Sequence, residues 1–430
     1  MTWTTAELAG LVAESDGTVD PRIYADRALY DLELEKVFAR TWLFLAHETQ
    51  IPKAHDFVNG YMGEDPVIVV RQPDGSVRAF LNQCRHRGMQ VCAYDSGNAQ
   101  FFSCPYHGWT YDSAGALISV PMEDTAYRNR LDRSRFGLVS VPRIEVYKGL
   151  VFGNWDAGAA RLSEFLGEAT WYMDTLFDRT PGGTEAIGGI HKWSIPCNWK
   201  FAAEQFASDM YHVSLTHAGV ITAMTDEGIE LDDPNFATRG GLQFRAARGG
   251  HGAGFYFGNH ENAIIGAIVG REVGEYYNGA GQQAALGQLG DVRARKMGSQ
   301  HMTVFPNFSF LAGINTVRIW HPRGPDRTDV WALVIVPKDA PEHVKEGYRR
   351  GITQTFSSSG TFEQDDGENW TTIQRTLRGT MARRTRFNIQ MGLGRADPNH
   401  PEFPGITNDV YSEEAARGFY GEWLRMMMTP

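Results

Sequence analysis

The sequence predicts an α+β chain with two main parts: a small antiparallel β domain, then a larger domain in which an antiparallel sheet is flanked by helices. Three observations carry that expectation. Between 51 and 155, short β-rich runs such as PVIVVRQ and LVFGNW alternate with turn punctuation such as QPDGS and YDSAG. Beyond 190, QHMTVFPNFSFLAGINTVRIWHPRG and DVWALVIVPKD read as paired strands. In the same region NWKFAAEQFASDMYHVSLTH and DDGENWTTIQRTLRGTMAR read as helices. Strands and helices mixed in that order favour α+β over a doubly wound sheet.

Taken in order along the chain, residues 21–50 place Tyr30, Leu32, Leu34, Val37 and Phe38 at helix-like spacing, as in an amphipathic helix leading into the β domain. The segment 156–178 reads as a connector and a helix. The expected divisions are a helical N-terminal segment at 1–40 that packs on the larger domain, the β domain at 41–155 and the larger domain at 156–430. The glycine-rich stretch GGHGAGFYFG fits neither G-x-G-x-x-G nor a phosphate loop, so no nucleotide site is read there.

Bulk properties exclude several function classes. A net charge of −10 disfavours nucleic acid and anionic membranes, since a negative surface gains nothing from either. Solubility accounts for it, and docking of a basic partner is the alternative. The first residues lack a basic n-region and a long apolar stretch, and no apolar run elsewhere would span a bilayer, so a soluble cytoplasmic protein is expected. Four cysteines, Cys84, Cys92, Cys104 and Cys197, are too few for a disulfide scaffold in a chain of 430 residues. In a reducing compartment, clustered cysteines read better as metal ligands.

The first cluster lies in the β domain, where C-R-H-R-G and C-P-Y-H-G-W supply Cys84, His86, Cys104 and His107. Each motif offers one thiolate and one imidazole, with Gly88 and Gly108 to turn the chain around a metal centre. Two Cys and two His suit a [2Fe–2S] centre in which imidazoles replace thiolates on one iron. Structural zinc takes the same donors, but zinc fingers group the two cysteines on one arm and the two histidines on the other. Cys92 falls outside the pattern and reads as a small buried hydrophobe. The paired motifs resemble those of Rieske ring-hydroxylating oxygenases. That resemblance implies that Cys84 and Cys104 bind one iron of the cluster, and His86 and His107 the other.

The second cluster lies in the 198–217 stretch. Asp209 and His212 are three apart and would share a helical face, whereas His212 and His217 are five apart. On a regular helix that places the two histidines about 140° apart, so both reach one metal only if the helix breaks. Val213, Ser214 and Thr216 make the helix weak there. Spacing alone leaves metal binding and a structural role open.

The run N-W-K…E-Q…D-M-Y-H…H, followed downstream by F-E-Q-D-D-G-E-N-W, resembles the catalytic domain of biphenyl- and naphthalene-type dioxygenase large subunits. The likeness extends to the C-terminal H-P-E-F-P-G and V-Y-S-E-E-A-A-R-G-F-Y. It implies a helix-grip-like catalytic fold and one mononuclear Fe(II) held by His212, His217 and Asp366, with open positions for O2. Adjacent Asp365 leaves the register to the family pattern, which selects Asp366. Asp209, otherwise a surface acid, becomes by resemblance a catalytic bridge. It would accept a hydrogen bond from His212 and another from His107 of a neighbouring subunit.

The same resemblance implies cis-dihydroxylation of a hydrophobic aromatic ring, with electrons from NADH reaching the cluster through a separate reductase and ferredoxin. It also implies an α3β3 hexamer with small β subunits, or an α3 trimer. Phe206, Met210, Val213, Leu215, Ala218, Phe356 and Phe362 flank the ligands and suit a neutral ring, with Gln205 the polar exception. A carboxylated substrate would want an arginine nearby. Asn198 and Gln205 face the iron by resemblance. The five-residue His spacing is naphthalene-like and the flanking motifs biphenyl-like, which leaves the substrate open. The alternative activities are a Rieske monooxygenase or O-demethylase, a pure electron carrier and a zinc-stabilised binding protein.

Overall fold

The strands of the turn-punctuated region pair antiparallel throughout. The computed structural model describes residues 3–226, 240–258 and 261–429 and divides into two units, Phe38–Leu162 and Met1–Val37 together with Ser163–Pro430. The expected range 41–155 lies inside the smaller unit. Among the described residues that unit carries three small sheets. One orders Arg143–Tyr147, Leu150–Asn154 and Leu43–His47. The second orders Val77–Leu81, Asp65–Arg71, Asp56–Met62 and Ser96–Asn98. The third orders Leu117–Ser119, Thr110–Asp112 and Phe101–Ser103. Phe57, Ile68, Phe80, Trp109 and Tyr111 pack with Cys84, Cys92 and Cys104 into one core.

The helical reading of 21–50 holds only in part. Asp26 caps a helix over Arg27–Glu33 by accepting from the N–H groups of Ala28 and Leu29, and a wider turn continues it over Leu34–Phe38. Leu43–His47 is instead a strand, buried at every position. A short apolar run reads alike as a buried helix and as a strand covered on both faces, and here strand pairing decides.

In the larger unit an eight-stranded antiparallel sheet runs, among the described residues, in the order Thr184–Ile195, Thr328–Pro337, Thr316–Pro322, Phe308–Ala312, Met297–Val304, Gly252–Phe257, Gly241–Arg245 and Ile406–Asp409. Its central strands Phe308–Ala312 and Thr316–Pro322 are buried at every position, as expected when helices cover the sheet. Helix Trp199–Ser208 lies on four of these strands, and helix Glu414–Met428 packs on that helix and on Gly241–Arg245 and Gly252–Phe257. The glycine-rich stretch forms the strand Gly252–Phe257. A Cβ at Gly254 would stand 2.6 Å from Met210 Cγ, and one at Gly252 2.8 Å from Ala415 Cβ. Those glycines let the helix layer approach the sheet.

The N-terminal helix is tied to this layer by buried charge. The Glu33 carboxylate accepts from the Lys200 ammonium, from Trp423 Nε1 at 2.8 Å and from Trp199 Nε1 at 3.0 Å, and both charged side chains are wholly buried. Among the described residues no helix is long and apolar enough to cross a membrane.

Candidate functional site

In the smaller unit, each Cys/His motif closes the same tight loop. The Cys84 N–H donates to the Met89 carbonyl at 2.7 Å, and the Gly88 N–H donates back to the Cys84 carbonyl at 2.9 Å. Cys104 does the same with Trp109 at 2.8 Å, and Gly108 with Cys104 at 2.9 Å. Gly88 and Gly108 sit at φ 76° and 72°, the left-handed region that a side chain would strain. A Cβ at Gly108 would also meet the Pro121 ring at 2.9 Å.

Both loop cysteines are buried, while His86 and His107 lie nearer the surface. The Nδ1 atoms of the two histidines face each other at 3.1 Å, and Trp109 stacks on the His86 ring at 5.0 Å. With the protons on the outer Nε2 atoms, both Nδ1 lone pairs face one point, where a single electrophile can take them. The Tyr111 hydroxyl lies 3.3 Å from Cys84 Sγ and accepts from the Arg85 N–H at 3.0 Å. Burial, with Cys84 alongside, pushes the Cys104 thiol up, so a bound metal is what would make it a thiolate. Donor set and geometry fit a [2Fe–2S] centre with thiolates inward and imidazoles outward.

In the larger unit, the helical run expected over 198–217 is interrupted. Helix Trp199–Ser208 ends at Asp209, whose ψ of 87° is not helical, and a single turn follows over Val213–Thr216. Asp209 and His212 therefore do not share a helix face. A turn joins them instead: Asp209 Oδ1 accepts from the N–H groups of Tyr211 at 2.9 Å and His212 at 3.0 Å. His212 Nδ1 donates to the Asp209 backbone carbonyl at 2.7 Å, with the carboxylate Oδ2 farther off at 3.5 Å. The Asp209 side chain is 35% exposed. Although burial opposes its charge, His212 holds this carboxyl below its ordinary range.

The break falls before both histidines; between them the stretch expected to be weak winds as the turn Val213–Thr216, and the His212 and His217 rings at its two ends lie 5.3 Å apart. One ligand atom each from His212, His217 and Asp366 lie within 4.8 Å of one another. Asp366 Oδ1 stands 3.6 Å from His212 Nε2 and 3.6 Å from His217 Nε2. That oxygen is buried and has no hydrogen-bond partner among the described residues, a costly state that a cation between the three groups would relieve. Burial pushes the Asp366 carboxyl up to about 7. Burial also opposes charge on His212, but Asp209 and Asp366 outweigh it and push the imidazole up to about 9. His217 goes the other way, down to about 4, through burial and the neighbouring His212. The trio fits one divalent metal with an open side.

Asp365 occupies a different place. Its Oδ2 lies 3.2 Å from His217 Nδ1, on the far side of the ring from Asp366. Helix Thr361–Thr376 thus sends two adjacent carboxylates to opposite nitrogens of one imidazole. The helix is anchored by Glu363, whose buried carboxylate accepts from Arg318 Nη2 at 3.0 Å. Sequence reasoning missed this role for Asp365; the doubled aspartate was its only signal.

A cavity with about 950 Å³ of empty space, part of it open to solvent, adjoins the trio. Six of the expected substrate residues line it: Gln205, Phe206, Met210, Val213, Phe356 and Phe362. Gln205 Oε1 accepts from Trp370 Nε1 at 2.8 Å, which leaves its amide nitrogen 3.4 Å from His212 Nε2. Two expected residues are not among the walls. Asn198 caps helix Trp199–Ser208 and donates to the Pro325 carbonyl at 2.7 Å, and Ala218 is exposed. Leu215, 78% exposed, does not line it either. The sheet and a second helix supply walls the sequence reading missed, among them Tyr256, Ile268, Ser299, His301, Leu311 and Ile314. Strand alternation marks such positions as inward-facing without saying toward what.

Residues 41–142 match the family model described as the Rieske [2Fe-2S] domain, and residues 162–429 match that of the ring hydroxylating alpha subunit catalytic domain. The chain is 54% identical to the biphenyl 2,3-dioxygenase subunit alpha of Rhodococcus jostii, over 100% of this chain and 93% of that one. It is also 54% identical to a benzene 1,2-dioxygenase subunit alpha of Pseudomonas putida, over 100% of this chain and 95% of that one. Among solved structures, naphthalene 1,2-dioxygenase with indole bound in its active site superimposes with a TM-score of 0.88 at 35% identity, covering 97% of this chain and 94% of that one.

Proposed function

The chain belongs to the ring-hydroxylating oxygenase alpha subunits, and from that premise we propose that it is the terminal oxygenase of a system that cis-dihydroxylates a neutral, hydrophobic aromatic ring with O2. The observation that carries the reading is the His212–His217–Asp366 trio opening on a largely apolar cavity. When bound, the [2Fe–2S] centre supplies electrons one at a time and the mononuclear iron supplies the activation of O2.

The residues supply position and enclosure. Cys84, His86, Cys104 and His107 would hold the cluster, and His212, His217 and Asp366 the single iron. Asp365 orients His217, and the Asp209 turn orients His212, because a ligand imidazole is aimed by whatever its second nitrogen contacts. Phe206, Phe356 and Phe362 hold the ring and keep water from it, and among the described residues no arginine lines the wall to welcome a carboxylate. The Asp209 carboxylate keeps an exposed edge, which could accept from the partner subunit's His107. That bridge would need an α3 or α3β3 assembly in which copies of this chain abut. Electrons would arrive from NADH through a reductase and a ferredoxin, in the reducing cytoplasm.

Supplied with those carriers, biphenyl and ¹⁸O2, the purified enzyme is expected to form a cis-dihydrodiol carrying two labelled oxygen atoms. One labelled atom in the product would identify a monooxygenase.

A further inference from the structure

One stretch of the cavity wall is polar and is not used by the metal trio. Strand Met297–Val304 turns alternate residues to one face, and on that face Thr303 Oγ1 donates to the Ala203 carbonyl at 2.6 Å. His301, the next residue on that face, has its Nδ1 2.9 Å from the Phe206 carbonyl. Ser299 follows and lines the cavity.

The His301 contact fixes its tautomer. A carbonyl oxygen only accepts, so Nδ1 carries the proton and Nε2 is a lone pair. The two ring nitrogens diverge, so pinning Nδ1 to the helix turns Nε2 away from it. His301 is 9% exposed and lines the cavity, and its Nε2 is buried without a partner among the described residues. Burial pushes the imidazole down to about 4, which keeps it neutral at pH 7. The cavity wall therefore carries, among the described residues, an acceptor without a partner and a serine hydroxyl on one strand, two residues apart.

We propose that Ser299 and His301 form a hydrogen-bonding subsite for hydroxylated aromatic substrates, in which the substrate hydroxyl donates to His301 Nε2 and accepts from Ser299 Oγ. The inference rests on the aromatic-dioxygenase reading and deepens it. A hydroxyl satisfies both groups at once. An aromatic N–H meets only the histidine, and a carboxylate meets the His301 lone pair with repulsion. The other wall residues around the pair, such as Leu311 and Ile314, offer the ring apolar contact.

The test measures binding of 3-hydroxybiphenyl and of the similarly sized 3-methylbiphenyl to anaerobic holoenzyme by calorimetry. The hydroxyl compound is expected to bind about tenfold more tightly, the effect of one or two modest hydrogen bonds. Ser299→Ala removes one oxygen atom. His301→Asn keeps an N–H for the Phe206 carbonyl and removes the Nε2 acceptor. Each substitution is expected to cut the preference by about threefold, and the two together to abolish it. Equal binding of the two compounds by the unmodified enzyme, or a preference that survives both substitutions, overturns the subsite. Should His301→Asn lose iron, Ser299→Ala decides alone. Binding of neither compound would instead overturn the aromatic reading on which the subsite rests.

Discussion

At the scale of single residues, the tandem Asp365–Asp366 divides two tasks between neighbours. Asp366 Oδ1 faces both Nε2 atoms, while Asp365 faces only the back of His217. Asp366→Ala is therefore expected to abolish mononuclear iron, measured by metal analysis with the cluster's visible spectrum as an internal reference. Asp365→Ala should keep the site but weaken iron binding about 10–100-fold, the usual cost of losing a partner behind a ligand. Loss of iron in Asp365→Ala alone would reverse the assignment. Asp209→Ala poses a separate question, because it removes a turn and the proposed bridge without removing a ligand. Both metals should remain while turnover falls at least about 10-fold; near-normal turnover would leave Asp209 with no part in the reaction.

At the scale of elements, His212 is placed by a helix that stops. Asp209 leaves helical geometry, and the chain turns through Tyr211 before winding again at Val213. His212 and His217 then stand at the two ends of that single turn, close enough to share a metal with Asp366. Two neighbouring elements hold this break in place. Strand Gly252–Phe257 gives Met210 room through Gly254, and the Tyr256 hydroxyl donates to the Met210 carbonyl at 3.1 Å. Gly254→Val would drive a side chain into Met210. It is expected to destabilise the larger unit by about 1–3 kcal/mol, as overpacked cores do, and to lower iron content with it. Denaturant unfolding and iron analysis check both, and a Gly254→Val protein with full iron and unchanged midpoint would mean that Met210 does not depend on this contact.

At the scale of the molecule, residues far apart in sequence share one polar cluster in the larger unit. Glu33 pairs with Lys200, 167 residues on, and accepts from Trp423, 390 residues on. Such a pair adds little over a well-packed apolar core, but removing one member strands the other charge. Lys200→Met should thus cost about 3–5 kcal/mol, read from the urea midpoint by tryptophan fluorescence, and Lys200→Met with Glu33→Gln should recover part of it. A cost under about 1 kcal/mol would show that the pair does not hold the N-terminal helix to this unit.

The sequence by itself determined the donor chemistry and its local geometry. C-x-H and C-x-x-H with a following glycine close tight loops through neighbours only, so Cys84, His86, Cys104 and His107 were readable as one set. The five-residue spacing of His212 and His217 called for a break between them, yet the helix breaks at Asp209 and winds a turn between the histidines, because the Asp209 carboxylate ties up the N–H groups of Tyr211 and His212. Likewise Leu43–His47 could not be told from helix until a partner strand claimed it. Tertiary structure alone decided what converges. Asp365 meets His217 from 148 residues away, and Ser299 and His301 reach the cavity because strand Met297–Val304 lies under helix Trp199–Ser208. Bond-by-bond geometry reaches only a few residues along a chain, whereas sheet register and helix packing carry distant side chains to one point.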